Sequence, residues 1–295
     1  MLSQKRIYIV TGGAGFIGSH LVDALVQAGH EVRVIDNLFS GTRAQVNEGA
    51  IFFAADIRDR EGLGPIFKDA HGVFHLAAIV SVQYSLEHPE EARAVNLEGM
   101  RNVVDAARAA GLKRLVFSSS SAVYGEKDGP ISESVSAEPV NPYGFQKLEG
   151  EKLCFSYANL EAVALRYFNV YGPRQRGDSV YSGVIARFLK LKKERKPLTV
   201  FGDGSQTRDF VSVHDIVRAN IAAMNSNKAS GQAFNIGSGE ATSIRGLAQV
   251  IGGTIDYLPS RTEAKNSLAD ISKARNILKW SPQVSLKEGI KELET

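Results

Sequence analysis

The sequence predicts an α/β protein: a doubly wound parallel sheet followed by a smaller C-terminal α/β lobe. Three observations predict it. Short β-branched runs alternate with helical periods through the first half of the chain. A glycine-rich turn joins the first run to the first helix. After Tyr167 the alternation breaks into short, irregular elements.

The elements follow in order. Ile7–Val10 is a β-branched and aromatic strand. Over Gly15–Ala28, apolar residues at Phe16, Ile17, Leu21, Ala24, Leu25 and Ala28 keep a helical period, and Gly29 stops it. Glu31–Ile35, Ile51–Ala54 and Val73–Leu76 read as strands two to four. A long helix over Pro89–Ala110 ends at Gly111, and Arg114–Ser118 is the fifth strand. Pro142–Ala158 reads as a helix and Ala162–Arg166 as the sixth strand. Six strands in this rhythm make a Rossmann-type sheet the natural architecture. Beyond it, Gly172–Gly177 reads as a loop and Val180–Glu194 as a helix, with turns at Gly202–Gly204, Gly237–Gly239 and Gly252-Gly253. Residues 1–166 are therefore expected to form the sheet domain. Parts of about 204–238 are expected to return to it, and 167–295 to form the second lobe.

Composition excludes several function classes. At 295 residues, 43% hydrophobic and 23% charged, the chain matches a soluble globular protein of one or two domains. Its longest apolar runs, such as Val73–Val82, fall well short of the roughly 20 residues that span a bilayer, so no membrane partner is expected. The first six residues carry no apolar signal region, and the lone Cys154 has no disulfide partner. Both fit a reducing cytoplasm, with Cys154 a small buried filler. A net charge of +3 is spread along the chain, and the cluster Lys190, Lys192, Lys193, Arg195 and Lys196 reads as a solvated helix end. No nucleic-acid partner is expected, because such a patch would want more charge and interleaved aromatics.

In Thr11–Gly18, glycines 12, 15 and 18 sit where the first strand turns into the first helix. Glycine permits the tight turn, lets backbone approach a pyrophosphate, and allows close helix–sheet packing. Taken alone, the spacing also fits a plain turn. Asp36 ends the second strand 18 residues after Gly18, where a carboxylate can accept from ribose hydroxyls. A carboxylate there repels a 2′-phosphate. Neither Arg33 nor Arg43 occupies the slot just after it, so NAD is favoured over NADP. Asp56-Ile57, after the third strand, meets an adenine edge on this reading; Asp56 as a helix cap is the alternative.

Tyr143 and Lys147, four apart, share one face of a predicted helix. An ammonium beside a phenol stabilises phenolate and is expected to lower the tyrosine pKa towards neutrality. Such a pair is also common surface decoration. Ser118–Ser121 at the carboxyl edge of the fifth strand changes the reading, because a serine there can hydrogen-bond both a substrate hydroxyl and the tyrosine oxygen.

Together Thr11–His20, His75–Ala78, Val116–Gly125, Tyr143–Lys147, Arg166–Gly172 and Gly204–Asp215 resemble the extended short-chain dehydrogenase/reductase family, in particular its UDP-glucose 4-epimerase branch. The resemblance covers essentially the whole chain. It implies Ser120, Tyr143 and Lys147 as catalytic residues, with Ser119 the near miss for the serine. It implies NAD held by Gly12, Gly15, Phe16, Ile17, Gly18, Asp36, Asn37, Asp56, Ile57, Leu76, Ala77, Ala78, Asn96, Ser118, Tyr143, Lys147 and Tyr167. Tyr167, Phe168 and Asn169 would lie between nicotinamide and the sugar diphosphate. Arg208 would grip the diphosphate with its planar fork. Thr199 and Phe201 would flank the uracil, with a core strand as the alternative. The implied substrate is a UDP-sugar bound in the second lobe, and the implied assembly a homodimer through Pro89–Ala110 and Pro142–Ala158.

The scaffold also carries dehydratases and decarboxylases, which place a carboxylate just after the catalytic serine. Here Ser121 and Ala122 stand there, favouring 4-epimerisation through a 4-keto sugar. A silent NAD-binding sensor on this fold would have no need of Ser120, Tyr143, Lys147 and Arg208 together. Three departures bear on substrate. Ser267 stands where relatives restricted to plain hexoses often carry a bulky residue, which implies room for N-acetylated UDP-hexosamines. Beside the matching acid Glu263, Ser260 replaces an expected arginine, with Arg261 shifted by one. Val80 replaces a lysine of some relatives, so that contact is not carried over.

Overall fold

In the computed structural model, which describes residues 5–176, 183–260 and 265–294, the apolar β-branched runs form strands and the 3.6-period segments form helices. Strand β1 (Ile7–Thr11) leads through the glycine turn into α1 (Phe16–Gln27) and β2 (Glu31–Asp36). Next come β3 (Ile51–Ala54), α2 (Arg60–Phe67), β4 (Gly72–His75) and α3 (Val82–Glu87). The expected long helix is present as α4 (Pro89–Arg93), a π-helical turn (Ala94–Gly99) and α5 (Met100–Ala109). Strand β5 (Arg114–Ser120) runs two residues further than expected, so the serines belong to the strand. After it come β6 (Pro130–Ile131), α6 (Pro142–Phe155) and β7 (Glu161–Tyr167).

The remaining elements are β8 (Asn169–Tyr171), α7 (Val184–Lys193), β9 (Leu198–Phe201), β10 (Thr207–Ser212) and α8 (Val213–Asn225). They continue with β11 (Gln232–Ile236), β12 (Ala241–Ser243), α9 (Ile244–Ile251), β13 (Ile255–Leu258), β14 (Leu268–Ala269) and α10 (Leu286–Glu294). The first residues of the expected Val180–Glu194 helix, together with Arg261 and Glu263, lie outside the described residues.

The central sheet is wholly parallel, in the order β11-β7-β5-β4-β1-β2-β3. A seventh strand, β11, joins the six expected, registering Gln232 against Val163 and Ile236 against Tyr167. Strict alternation within each strand sorts the core into two layers. Val10, Val34, Phe74, Val116 and Leu165 point to one face, where Leu21 of α1 and Ile216 of α8 cover them. Ile9, Ile35, Val73, Leu115 and Ala164 point to the other, under Leu63 of α2 and Val103 of α5. Each fully buried side chain of this size contributes about 1.5–3 kcal/mol. A third core forms around Tyr171, Phe188, Leu198, Val200 and Leu247 in the C-terminal half.

Strand order reverses between β1 and β4, which leaves a crevice at their carboxyl ends, the usual ligand position in such sheets. Among the described residues, no helix is long and apolar enough to cross a membrane.

Candidate active site

A cavity of about 640 Å³ fills that crevice. Gly12, Gly15, Phe16, Ile17, Gly18, Asp36, Asn37, Asp56, Ile57, Leu76, Ala77, Ala78 and Ser118 all line it. Gly12 adopts φ +72°, and a Cβ there would lie 2.7 Å from the Ala77 amide. A Cβ on Gly18 would run into the carbonyl oxygen of Gly12, so α1 can approach the turn only without one. Gly15 caps α1 with no side-chain hydrogen bond and no acid in the first turn. Its leading amides and positive dipole end therefore suit an anion.

Asp36 is buried and fixes the floor, one carboxylate oxygen accepting from the Ala14 amide (3.0 Å) and the other from Leu38 (2.8 Å). Arg33 is spent on the carbonyls of Ile66 (2.8 Å) and Lys68 (2.7 Å), and Arg43 stacks on Phe52. Asp36 stands where a 2′-phosphate would lie and repels it, and the site fits NAD. Asp56 accepts from the Arg58 side chain (2.9 and 2.7 Å) and from Asn37 (2.8 Å); the Arg58 hydrogen bonds hold its carboxyl down at about 2. The cap of α2 is Asp59, not Asp56.

Next to this cavity, α6 brings its face against the end of β5. Asn141 caps the helix by accepting from the Gly144 amide, and Pro142 opens it with its missing donor at no loss. Lys147 is buried and donates from Nζ to the Ser118 carbonyl at 2.7 Å, 5.7 Å from the Tyr143 ring centre and 4.9 Å from that of Phe117. Ser120 hydrogen-bonds Tyr143 and also accepts from the Ala122 amide at 3.2 Å.

The expected depression of the tyrosine pKa is not found. Burial pushes Tyr143 up to about 12, with the Ser120 hydrogen bond pulling it back in part. Burial likewise carries Lys147 down to about 7, opposed by the charge of Glu151. Lys147 Nζ donates to the Ser118 carbonyl, and an amine that has lost its charge near pH 7 cannot favour a phenolate that forms well above it. Neighbouring His75 is held neutral, its pKa lowered to about 3 by burial and then by Lys147. The Thr11 hydroxyl accepts from the Ala77 amide and shares a hydrogen bond with His75 Nδ1, 2.8 Å away.

A second cavity of about 330 Å³ gathers Asn169, Thr199, Phe201 and Arg208 with Gln206 and Arg187. Gln175 and Gly183 line both cavities, so the two adjoin along the segment after Gly172. Other expected residues line neither cavity, as Ser120, Tyr143 and Lys147 also do not. Phe168 and Tyr167 are core residues; the Tyr167 hydroxyl accepts from Asn220 Nδ2 at 2.7 Å and also bonds Ser118, close to Tyr143. Asn96 lies off the cavity too. It braces the cavity wall by bonding both backbone groups of Ile79 (2.8 and 2.9 Å) and Gln146 (2.7 Å). Ser267 is half-buried beside Asn266, whose amide oxygen accepts from the Thr207 hydroxyl at 3.1 Å, and lines neither cavity. Exposed Val80 lines the first cavity.

Two groups carry roles that sequence reasoning missed. Ser119 is not an alternative to Ser120, because its hydroxyl donates to buried Glu151 at 2.5 Å. Asp209, beside Arg208, accepts from Ser238, Gly239 and Ala269 and so ties three segments together. For Glu151, the only available signal was its four-residue offset from Lys147.

A glycine-floored dinucleotide cavity beside a serine, tyrosine and lysine defines an enzyme of the extended short-chain dehydrogenase/reductase class. The NAD dependent epimerase/dehydratase family matches residues 8–237, and the chain belongs to it. It is 40% identical over 301 residues to a putative UDP-glucose 4-epimerase of Methanocaldococcus jannaschii, covering 97% of this chain and 96% of the relative. It is 37% identical to a UDP-N-acetyl-alpha-D-glucosaminuronate decarboxylase of Bacillus cytotoxicus, covering 98% and 97%. The crystal structure of a Thermotoga maritima UDP-glucose 4-epimerase with UDP-glucose superposes with a TM-score of 0.91 at 37% identity, covering 97% of this chain and 96% of that one.

Proposed function

We propose that this enzyme interconverts UDP-hexoses at C4′, with UDP-galactose and UDP-glucose as substrates, and that it also takes the N-acetylated UDP-hexosamines, a part that rests on the small residue at position 267 and not on a cavity wall. The observation that carries the reading is the hydrogen bond from the end of β5, at Ser120, to Tyr143, which shares a helix face with Lys147 beside a dinucleotide cavity. Residues 1–166, with parts of about 204–238, hold the cofactor, and residues 167–295 hold the UDP-sugar.

When bound, NAD supplies a hydride acceptor for C4′ and a cationic ring that favours phenolate at Tyr143. Tyr143 takes the proton of the 4′-hydroxyl and later returns it. Ser120 holds that hydroxyl in line and shares a hydrogen bond with the phenol oxygen. Lys147, fixed by Ser118, would contact the ribose of a bound cofactor. Arg208, Asn169, Thr199 and Phe201 hold the UDP moiety, leaving the sugar free to present either face. Net redox change is zero.

The relative named as a decarboxylase favours a second reading, loss of carbon dioxide from a UDP-uronic acid. Ser121 and Ala122 supply no carboxylate for such proton chemistry. Incubation with UDP-galactose and no added NADH is expected to yield UDP-glucose of unchanged mass, and Tyr143→Phe to abolish it. A product lighter by one water overturns epimerisation in favour of dehydration, and release of carbon dioxide from UDP-glucuronate, incubated in parallel, overturns it in favour of decarboxylation. Ser267→Tyr is expected to cut turnover of acetamido sugars selectively; equal losses on both classes would sink that part.

The assembly we propose is a cytoplasmic homodimer through the α4–α5 and α6 helices. Exposed Phe145 on α6, Val140 just before it and Leu86 on the neighbouring α3 support an apolar contact there.

A further inference from the structure

The three serines that end β5 each engage a different residue of α6. The Ser118 carbonyl takes the Lys147 ammonium at 2.7 Å, the Ser119 hydroxyl donates to Glu151 at 2.5 Å, and Ser120 bonds Tyr143. Tyr143, Lys147 and Glu151 follow at four-residue spacing and therefore share one helix face. Glu151 is 3% exposed and also accepts from Arg166 on β7, from Nε at 2.9 Å and Nη2 at 2.6 Å. Arg166 in turn donates to the Tyr124 hydroxyl (2.8 Å), which donates to Asn235 on β11 (2.7 Å). One buried carboxylate thus joins α6 to two strands. Desolvating such a pair is costly, and an apolar contact would join the same elements without that penalty.

We propose that Glu151 is a positioning residue for the reaction: with Ser119 and Arg166 it clamps α6 against the end of β5, in the register that brings Ser120 and Lys147 to Tyr143. This rests on the functional reading above. The clamp also sets a negative charge one turn behind Lys147. Burial draws that ammonium towards neutrality, and Glu151 is the group that opposes it. The other groups facing Lys147 do not supply that charge, since His75 on β4 is neutral and Tyr143 is a protonated phenol. Arg166 and Tyr124 stand behind the carboxylate.

The test is the pH profile of UDP-galactose turnover, from pH 6 to 10, by NAD-loaded enzyme normalised to bound NAD. Glu151→Gln removes the charge, so its alkaline limb is expected to move down by about one pH unit. Ser119→Ala keeps the charge but frees the strand, so kcat is expected to fall about tenfold at every pH, with the limb unmoved and KM within about twofold. Should Glu151→Gln fail to fold, Ser119→Ala decides alone, being the smaller change. Parent-like kcat and limbs in both variants, or losses confined to KM, would overturn the clamp while leaving the epimerase reading intact. A parent enzyme inactive on UDP-galactose and UDP-glucose would overturn both.

Discussion

Lys147 shows how a single side chain trades stability for chemistry. Its pKa lies near 7 in the folded protein against an ordinary value of 10.5, because burial disfavours the charge. As pH falls from 10.5 to 7 the unfolded chain binds the proton first, so stability declines across that window and is lowest below it. Lys147→Met is therefore expected to melt at higher temperature than the parent at pH 6.5, with the gap closing towards pH 10, while activity is lost. Thermal melts at the two pH values check this, and a gap of equal size at both would contradict it. The same residue marks a limit of sequence reading. Its spacing from Tyr143 was legible, but its depth and its bond to Ser118 were not. The inference that it would depress the tyrosine pKa therefore failed. Residue type and spacing specify which groups can meet, whereas a pKa is set by how much water and charge surround them.

At the scale of elements, the glycine turn and the buried ion pair do the positioning. Gly18→Ala would force α1 away from the turn, and we expect at least a tenfold loss of NAD occupancy, measured by cofactor release after denaturation. Arg166→Met would leave Glu151 buried and unpaired, which costs about 3–5 kcal/mol. Denaturant unfolding checks that figure, and a loss below about 1 kcal/mol would contradict the burial argument. Strong periodicity made β1 to β5, β7, α1 and α6 legible. β11 was missed as a strand because Gln232–Ile236 is short and shows no clean alternation; its partner β7 defines it. The π-helical turn was equally hidden, since Ala94–Gly99 keeps an ordinary helical composition, yet it carries Asn96, which braces Ile79. Phe168, read as a ligand contact beside Asn169, packs in the core with Tyr167, between the end of β7 and the start of β8, and its depth is not visible in its sequence position.

At the scale of the molecule, the sheet supplies a rigid edge with one cavity, and the C-terminal half supplies a second cavity adjoining it. That arrangement lets a cofactor stay fixed while a sugar turns on its nucleotide anchor. It also predicts assembly: Phe145→Glu is expected to convert a dimer to a monomer in light scattering, while a monomeric parent would contradict the helix-face reading. In the proposed epimerisation, hydrogen leaves C4′ and comes back to the same carbon without exchange. Turnover of UDP-galactose deuterated at C4′, in ordinary water, reads this out. UDP-glucose with the deuterium retained at C4′ and its mass unchanged is the expected product. Loss of the label to solvent, or its appearance at another carbon, would rule out hydride return to C4′.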